Sequence, residues 1–492
     1  MRHDRLRALA LAAAALAGCS RFDRSAALNP YGNAPPSPAA PWAPPASQVE
    51  GQVEAPPPIP STAPQAPGGL QDLPELIDLA LQNNPDTRRL WQEARASAAR
   101  LGRAEGAYLP TVTMRALGGT SRVVRAIPTG KEIIIGPGIV PDLALTWVLI
   151  DFGRRGAERD RALQELLATS YAFDRRLQTV VFDVQRSFFA LDAARASVDA
   201  AQATLEAAQT VEAAATDRMN LGLATKPEVL LARQERFRAD YELTEAKGAV
   251  QRAHADLAAN VGVSPAEPLH VIDLSQEPLP PGLPATVDQV MDDALVGRPD
   301  LAAQLAVLRA REAEVRRARA SYWPTLGFAG DVGGIWRDFR GGPPFHSHEF
   351  AEPNYGTFLN FEWTLFDALE RENTVREAES QRGAAEAELE SARLGVLRDV
   401  FKSYADAKTA AGKYEFATAL LTAATESYDA TLETYRNGLG DFVELLAAER
   451  ELARARFTSI SSKAELLTAS AALAFSAGAG PAATPAPTAP GP

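Results

Sequence analysis

Apolar positions along this chain change period in a fixed order, and they do so twice. Segments rich in Ala, Arg and Glu run from Pro85 to Tyr108 and from Pro299 to Tyr322, and predict helices whose first turn tolerates the proline. Pro110 and Pro324 break them, and the period then falls from near 3.6 to 2. Val112, Met114 and Ala116 alternate with Thr111, Thr113 and Arg115; beyond a Gly/Pro-bearing loop, Leu143, Leu145, Trp147 and Leu149 alternate with Asp142, Ala144, Thr146 and Val148. The second copy repeats the alternation through Leu326, Phe328 and Val332 and through Leu359, Phe361, Trp363 and Leu365. Each copy thus predicts one β-hairpin, about 110–150 and about 324–366, of strands about ten residues long, each with one apolar face. That length suits a tilted transmembrane strand. The same alternation also suits a soluble sheet packed on the helices.

After each hairpin the period returns to that of a helix and stays there. From Gly153 to about Met219 there is no proline, a reach on the order of 100 Å. Val198, Ala201, Leu205 and Ala208, and on the returning segment Ala239, Leu243, Ala246, Val250, Ala253 and Leu257, keep the spacing of a coiled-coil seam. The turns between the long segments fall at about 220–226 and 436–441. Gly222 and Gly438 suit left-handed C-caps, and Thr225 or Asp441 can cap the next helix. Leu223 and Leu439 then either project from a helical tip or tuck under their own turn.

The two copies are related residue by residue. At an offset of 214, Pro85, Asp86, Tyr108 and Pro110 recur as Pro299, Asp300, Tyr322 and Pro324; at 216, Trp147, Asp151, Gly222, Leu223 and Glu228 recur as Trp363, Asp367, Gly438, Leu439 and Glu444. The expected organisation is a leader at 1–18, a Pro/Ala-rich tether at 19–69, repeat 1 at 70–265, a connector at 266–285, repeat 2 at 286–479 and a Pro/Ala tail at 480–492. Four strands cannot close a barrel, and open edges in lipid leave backbone groups unsatisfied. Transmembrane hairpins would therefore require other copies of the chain.

Composition alters this picture in few places. The net charge of -12 disfavours nucleic acid, and no stretch after the leader holds 18 consecutive apolar residues. Arg2, Arg5 and Arg7 precede the apolar run Ala8–Ala17, the layout of a secretory signal peptide. Leu16-Ala17-Gly18-Cys19 resembles a bacterial lipobox, which implies cleavage before Cys19 and a covalent lipid on its thiol. Cys19 is the only cysteine, so no intramolecular disulfide and no catalytic thiol is available. Ser20 in the next position is typical of outer-membrane lipoproteins.

Taken together, Asn84-Pro85-Asp86 and Arg298-Pro299-Asp300, the Tyr-Leu-Pro and Tyr-Trp-Pro breaks, Trp147 to Asp151 and Trp363 to Asp367, and the Gly-Leu tips resemble the TolC-like family of outer membrane efflux factors, in its lipoprotein branch. The resemblance covers both repeats. It implies a mixed, mostly α fold, internally duplicated, whose long coiled-coil-like helices form an α-barrel across the periplasm. It also implies four strands per chain in a trimeric twelve-stranded transmembrane β-barrel. The implied partners are a periplasmic adaptor and an inner-membrane transporter, and the implied location is the outer membrane of a Gram-negative bacterium. Gly222, Leu223, Gly438 and Leu439 match the adaptor-contacting tips, although Ala224 and Gly440 stand where a serine is often found. Glu228 and Glu444 match an acidic constriction of the entrance, with Leu231 and Ala447 replacing a second acid. Both glutamates also suit ordinary solvated positions on a helix.

The expected function is a passive duct for drugs or other small solutes, driven by a partner pump. Polypeptide export by a type I secretion system and a purely structural coiled-coil lipoprotein are the competing readings. No enzyme is expected: there is no nucleophile elbow, no phosphate-cradling loop and no His/Glu zinc motif. No cofactor beyond the lipid on Cys19 is expected, and no metal, since His346 and His348 sit in a Gly/Pro loop where solvated histidines are the simpler account.

Overall fold

A computed structural model describes residues 71–128, 130–266, 269–272, 286–339 and 348–479, all within one compact unit, Ala66–Pro492. Each repeat runs helix, helix, hairpin, helix, helix. The first has α1 (Leu73–Asn83), α2 (Pro85–Gly106), β1 (Thr111–Ile127), β2 (Gly130–Ile150), α3 (Arg154–Asn220) and α4 (Lys226–Val261). The second has α5 (Val287–Gly297), α6 (Pro299–Ala320), β3 (Thr325–Phe339), β4 (His348–Glu362), α7 (Glu370–Arg436) and α8 (Phe442–Ser476). α3 and α7 have 67 residues each, and α2 and α6 have 22 each, so the duplication extends to element length.

Local chemistry sets the breaks. Asp72 and Glu75 form a capping box at α1, with the Glu75 N–H donating to Asp72 Oδ1 at 2.9 Å. Asn84 and Arg298, each before a proline, are extended and separate the two short helices. At the strand-to-helix joints the recurring motif becomes geometry. Trp147 Nε1–H donates to Tyr108 O at 2.8 Å, and Trp363 Nε1–H donates to Tyr322 O at 3.1 Å. Asp151 accepts from the Arg155 backbone N–H at 2.9 Å and from its Nε at 2.8 Å, while the guanidinium lies 4.8 Å over the Tyr108 ring. Asp367, Arg371 and Tyr322 repeat the arrangement. Arg155 and Arg371 are thus a structural half of the motif that pattern reading did not single out, although they recur at the same offset.

The sheet is an antiparallel meander in the order β1-β2-β3-β4. Its register places Val112 opposite Leu145, Met114 opposite Leu143, Leu143 opposite Val332, Trp147 opposite Phe328, Phe328 opposite Leu359 and Leu326 opposite Phe361. Directly paired residues share a face, so the apolar positions merge into one band across all four strands. Thr113, Asp142, Asp331, Asn360 and Glu362 occupy the other face, where Leu117, Val140, Val148 and Phe358 are apolar exceptions. Met114 is 76% exposed and Leu359 70%, so none of the described residues covers the band there. The strands are longer than the ten residues expected, 17 and 21 in the first hairpin and 15 each in the second. β1 and β2 stay paired beyond the last β2–β3 contact at Gly138. Ladder pairing needs only backbone groups, so a ribbon continues where apolar alternation has ended.

Three of the cores organise the helices. Leu76, Val180, Val184, Phe188, Leu257 and Val261 join α1, α3 and α4, and Val290, Leu301, Val396, Val400 and Leu473 join α5 to α8 in the same way. Between them and the tips runs the alanine-rich seam, with Ala201, Leu205, Ala208, Ala239, Leu243 and Ala246 buried as the spacing predicted. The connector is partly built into the first core: Leu269 and Val271 are buried, and Gln71 N–H donates to His270 O at 2.7 Å. The second repeat closes back on the first where Arg175 donates to Phe475 O at 3.0 Å and lies 3.8 Å from that ring's centre. Burial pushes the Arg175 guanidinium down to about 10, which still leaves it charged at neutral pH.

Candidate functional site

The tips end α3 and α7 with the same hydrogen-bond scheme. In the first, Leu223 N–H donates to Arg218 O at 2.8 Å and Gly222 N–H to Met219 O at 2.9 Å; in the second, Leu439 N–H donates to Thr434 O at 2.9 Å and Gly438 N–H to Tyr435 O at 3.0 Å. This is the Schellman closure, and it needs a left-handed residue at Gly222 (φ 76) and Gly438 (φ 77). The closure turns the next side chain outward. Leu223 is 63% exposed and Leu439 84%, so neither is tucked under its turn. The mismatch at the next position has a steric cause: a Cβ at Gly440 would meet Thr434 Oγ1 at 2.9 Å and Tyr435 N at 3.1 Å. The second tip is wound more tightly than the Ala224 tip.

The two tips are tied to each other by a residue the sequence reading missed. Arg218 in the last turn of α3 donates to Tyr435 O at 2.5 Å, donates to Leu223 O at 3.3 Å, and lies 4.5 Å over the Tyr435 ring. It thereby satisfies a carbonyl at the negative end of α7. Tyr435 is buried against Phe442, and burial followed by the charge of Glu228 pushes its phenol up. The only hint in the sequence is a mismatch, because Thr434 stands where the repeat would place an arginine.

The two candidate constriction glutamates sit at the third position of α4 and α8 but in different states. Glu228 Oε1 accepts from the Thr225 N–H at 3.1 Å and from its hydroxyl at 2.9 Å, so it is engaged in capping α4. Glu444 is exposed, and the Asp441 side chain makes no capping bond. Leu231, where a second acid was not found, is exposed, as are Leu221, Leu230 and Val443 around the tips. Cys19 and the leader, tether and tail lie outside the described residues, as do His346 and the side chain of His348. Among the described residues no group of three or more His, Cys, Asp and Glu could hold a metal ion.

Comparison with known proteins follows the same two-part division. The family model described as outer membrane efflux protein matches residues 76–263 and 290–479, separated at their starts and ends by the repeat offsets. Protein CyaE of Bordetella pertussis is 31% identical over 406 residues, covering 82% of this chain and 83% of that protein. Outer membrane protein OprJ of Pseudomonas aeruginosa is 23% identical over 392 residues, covering 77% and 78%. Among solved structures, the outer-membrane channel OprN shares the fold with a TM-score of 0.73 at 21% identity, covering 86% of this chain and 96% of that one. The chain therefore belongs to the outer membrane efflux protein family, whose members are trimeric channel proteins of the Gram-negative outer membrane that extend into the periplasm and work with adaptor proteins and inner-membrane pumps.

Proposed function

We propose that this chain forms the passive exit duct of a tripartite efflux system, carrying drugs or other small solutes from an inner-membrane pump and its adaptor to the exterior. The observation that carries the reading is one apolar band across an open four-stranded sheet, continuous in the chain with two 67-residue helices that end in paired tips. Lipid would cover the band, and copies of the chain would complete the barrel. In this reading the projecting Leu223 and Leu439 are the apolar contacts of the adaptor. Gly222 and Gly438 set their direction. Glu444, with Glu228 behind its cap, supplies negative charge at the entrance, where carboxylates related by threefold symmetry would favour cations. A lipid on Cys19 would add an anchor to the barrel.

The test places Asp at both Leu223 and Leu439. Efflux should fall to the level of a strain lacking the channel, while the trimer still assembles and conducts in planar bilayers. Unchanged drug accumulation with every secreted polypeptide still exported would remove the tips from adaptor docking. Unchanged accumulation with loss of a secreted polypeptide would assign the duct to type I secretion instead.

A further inference from the structure

Above the tips the two repeats meet at a pair of carboxylates that the duct reading leaves without a role. Glu235 on α4 and Glu449 on α8 stand on the order of 10–15 Å from the tips. They are only 7% and 5% exposed. Arg450 donates to Glu235 Oε1, and Arg238 comes within 4.0 Å of Oε2. Glu449 Oε2 is buried with no hydrogen-bond partner. Two buried acids therefore share one close guanidinium, and that guanidinium serves the other acid. Burial first, and then the charge of Glu235, push the Glu449 carboxyl up to about 7, with Arg450 opposing.

The surroundings do not neutralise it. From α7 the facing group is Tyr428, whose phenol is pushed up by burial and by Glu449. The α3 wall presents Ser197 and Thr204, both uncharged, and Thr204 takes a bond from Arg456 at 3.3 Å. Farther along the α4 wall stand Glu242, Glu245 and Arg252; Arg238 pairs with Glu242 at 3.4 Å, and on α8 Arg454 pairs with Glu451 at 2.9 Å. Ser197, Thr204, Glu242, Arg252 and Arg454 border, with Glu235 and Glu449, one groove of about 450 Å³ that is open to water.

The internal duplication supplies an independent comparison. In repeat 1 the corresponding place is a complete ion cluster, with Glu212 accepting from Arg233 at 2.8 Å and from Arg236 at 2.7 Å. The hydrogen bond from Arg233 leads the effects that hold Glu212 below the ordinary carboxylate range. Counting 216 residues onward, Glu212, Arg233 and Arg236 become Tyr428, Glu449 and Leu452. One repeat has an acid between two arginines. The other has an acid against a phenol, a leucine and the acid of its neighbour.

We propose that Glu449 and Glu235 hold one exchangeable proton between α4 and α8, and that its release loosens the seam joining the two repeats just above the tips. Protonation from water in the groove converts Glu449 to a neutral carboxylic acid able to donate to Glu235. Release returns the proton to that water and leaves two buried negative charges facing each other.

Hydrogen–deuterium exchange of the detergent-solubilised trimer tests this without reference to what the duct carries. Corrected for the intrinsic pH effect, segments 229–240 and 443–455 should exchange roughly tenfold faster at about pH 8.5 than at about pH 5. E449Q, the neutral isostere, should stay slow at both. E235Q removes the like charge and frees Arg450, so it should move the transition toward ordinary carboxylate pH. If both variants keep the wild-type pH profile, the proposal is overturned. It is equally overturned if sodium or calcium ions, added at high pH, restore protection in wild type, because the site would then belong to a metal ion.

Discussion

Arg218 is the side chain on which the paired tips depend most directly. Its guanidinium reaches a carbonyl of the other repeat, a carbonyl of its own tip and the face of Tyr435. R218A should cost about 1.5–3 kcal/mol, the range for a hydrogen bond to a charged group, and it should lower the Tm of the trimer. R218K should recover only part of that loss, since an ammonium cannot make the forked contact. Full stability in R218A would mean that the two tips are held independently. Glu228 shows the same lesson in another form: a carboxylate read as a channel-lining charge is also a helix cap.

Among the elements, the strands carry a meaning that no single side chain does. Register decides that Leu359 continues the apolar band and that Asn360, one residue on, faces the opposite way. Leu359→Arg should therefore destabilise the inserted barrel by about 2–4 kcal/mol if the residue lies near the middle of the membrane. Asn360→Arg should leave assembly intact and change only conductance. Trimer yield in purified outer membranes separates the two, and equal yields would place the band away from lipid. The long helices follow a different rule. Small side chains at Ala201, Ala208, Ala239 and Ala246, with Leu205 and Leu243 between them, pack α3 against α4 in one buried cluster.

For the molecule as a whole, the decisive fact is incompleteness. Among the described residues β1 and β4 each have a single neighbouring strand, and Leu394, Phe401, Phe416 and Leu420 lie exposed along one face of α7. Open strand edges and an apolar helical face ask for the same solution, further copies of the chain. The detergent-extracted protein should sediment as a trimer, and a monomer recovered from the outer membrane with its hairpins intact would contradict the shared barrel.

Much of this was written in local order. Periods of 3.6 and 2, two prolines before each hairpin and the offsets of 214 and 216 were enough for the elements, their duplication and the positions of the tips, because these depend on backbone preference and on neighbours a few residues away. Gly222 and Gly438 were legible for the same reason. Pairs brought together from distant parts of the chain were not: Arg218 with Tyr435, Glu235 with Arg450, and Arg175 with Phe475. Their partners lie in the other repeat, and no periodicity carries that information. The duplication even pointed away from them, since its mismatches are where the two copies took different parts in one contact. Burial was the other quantity left to tertiary structure, and it is burial that turns Glu449 from one more acid on a helix into a group that titrates near neutrality.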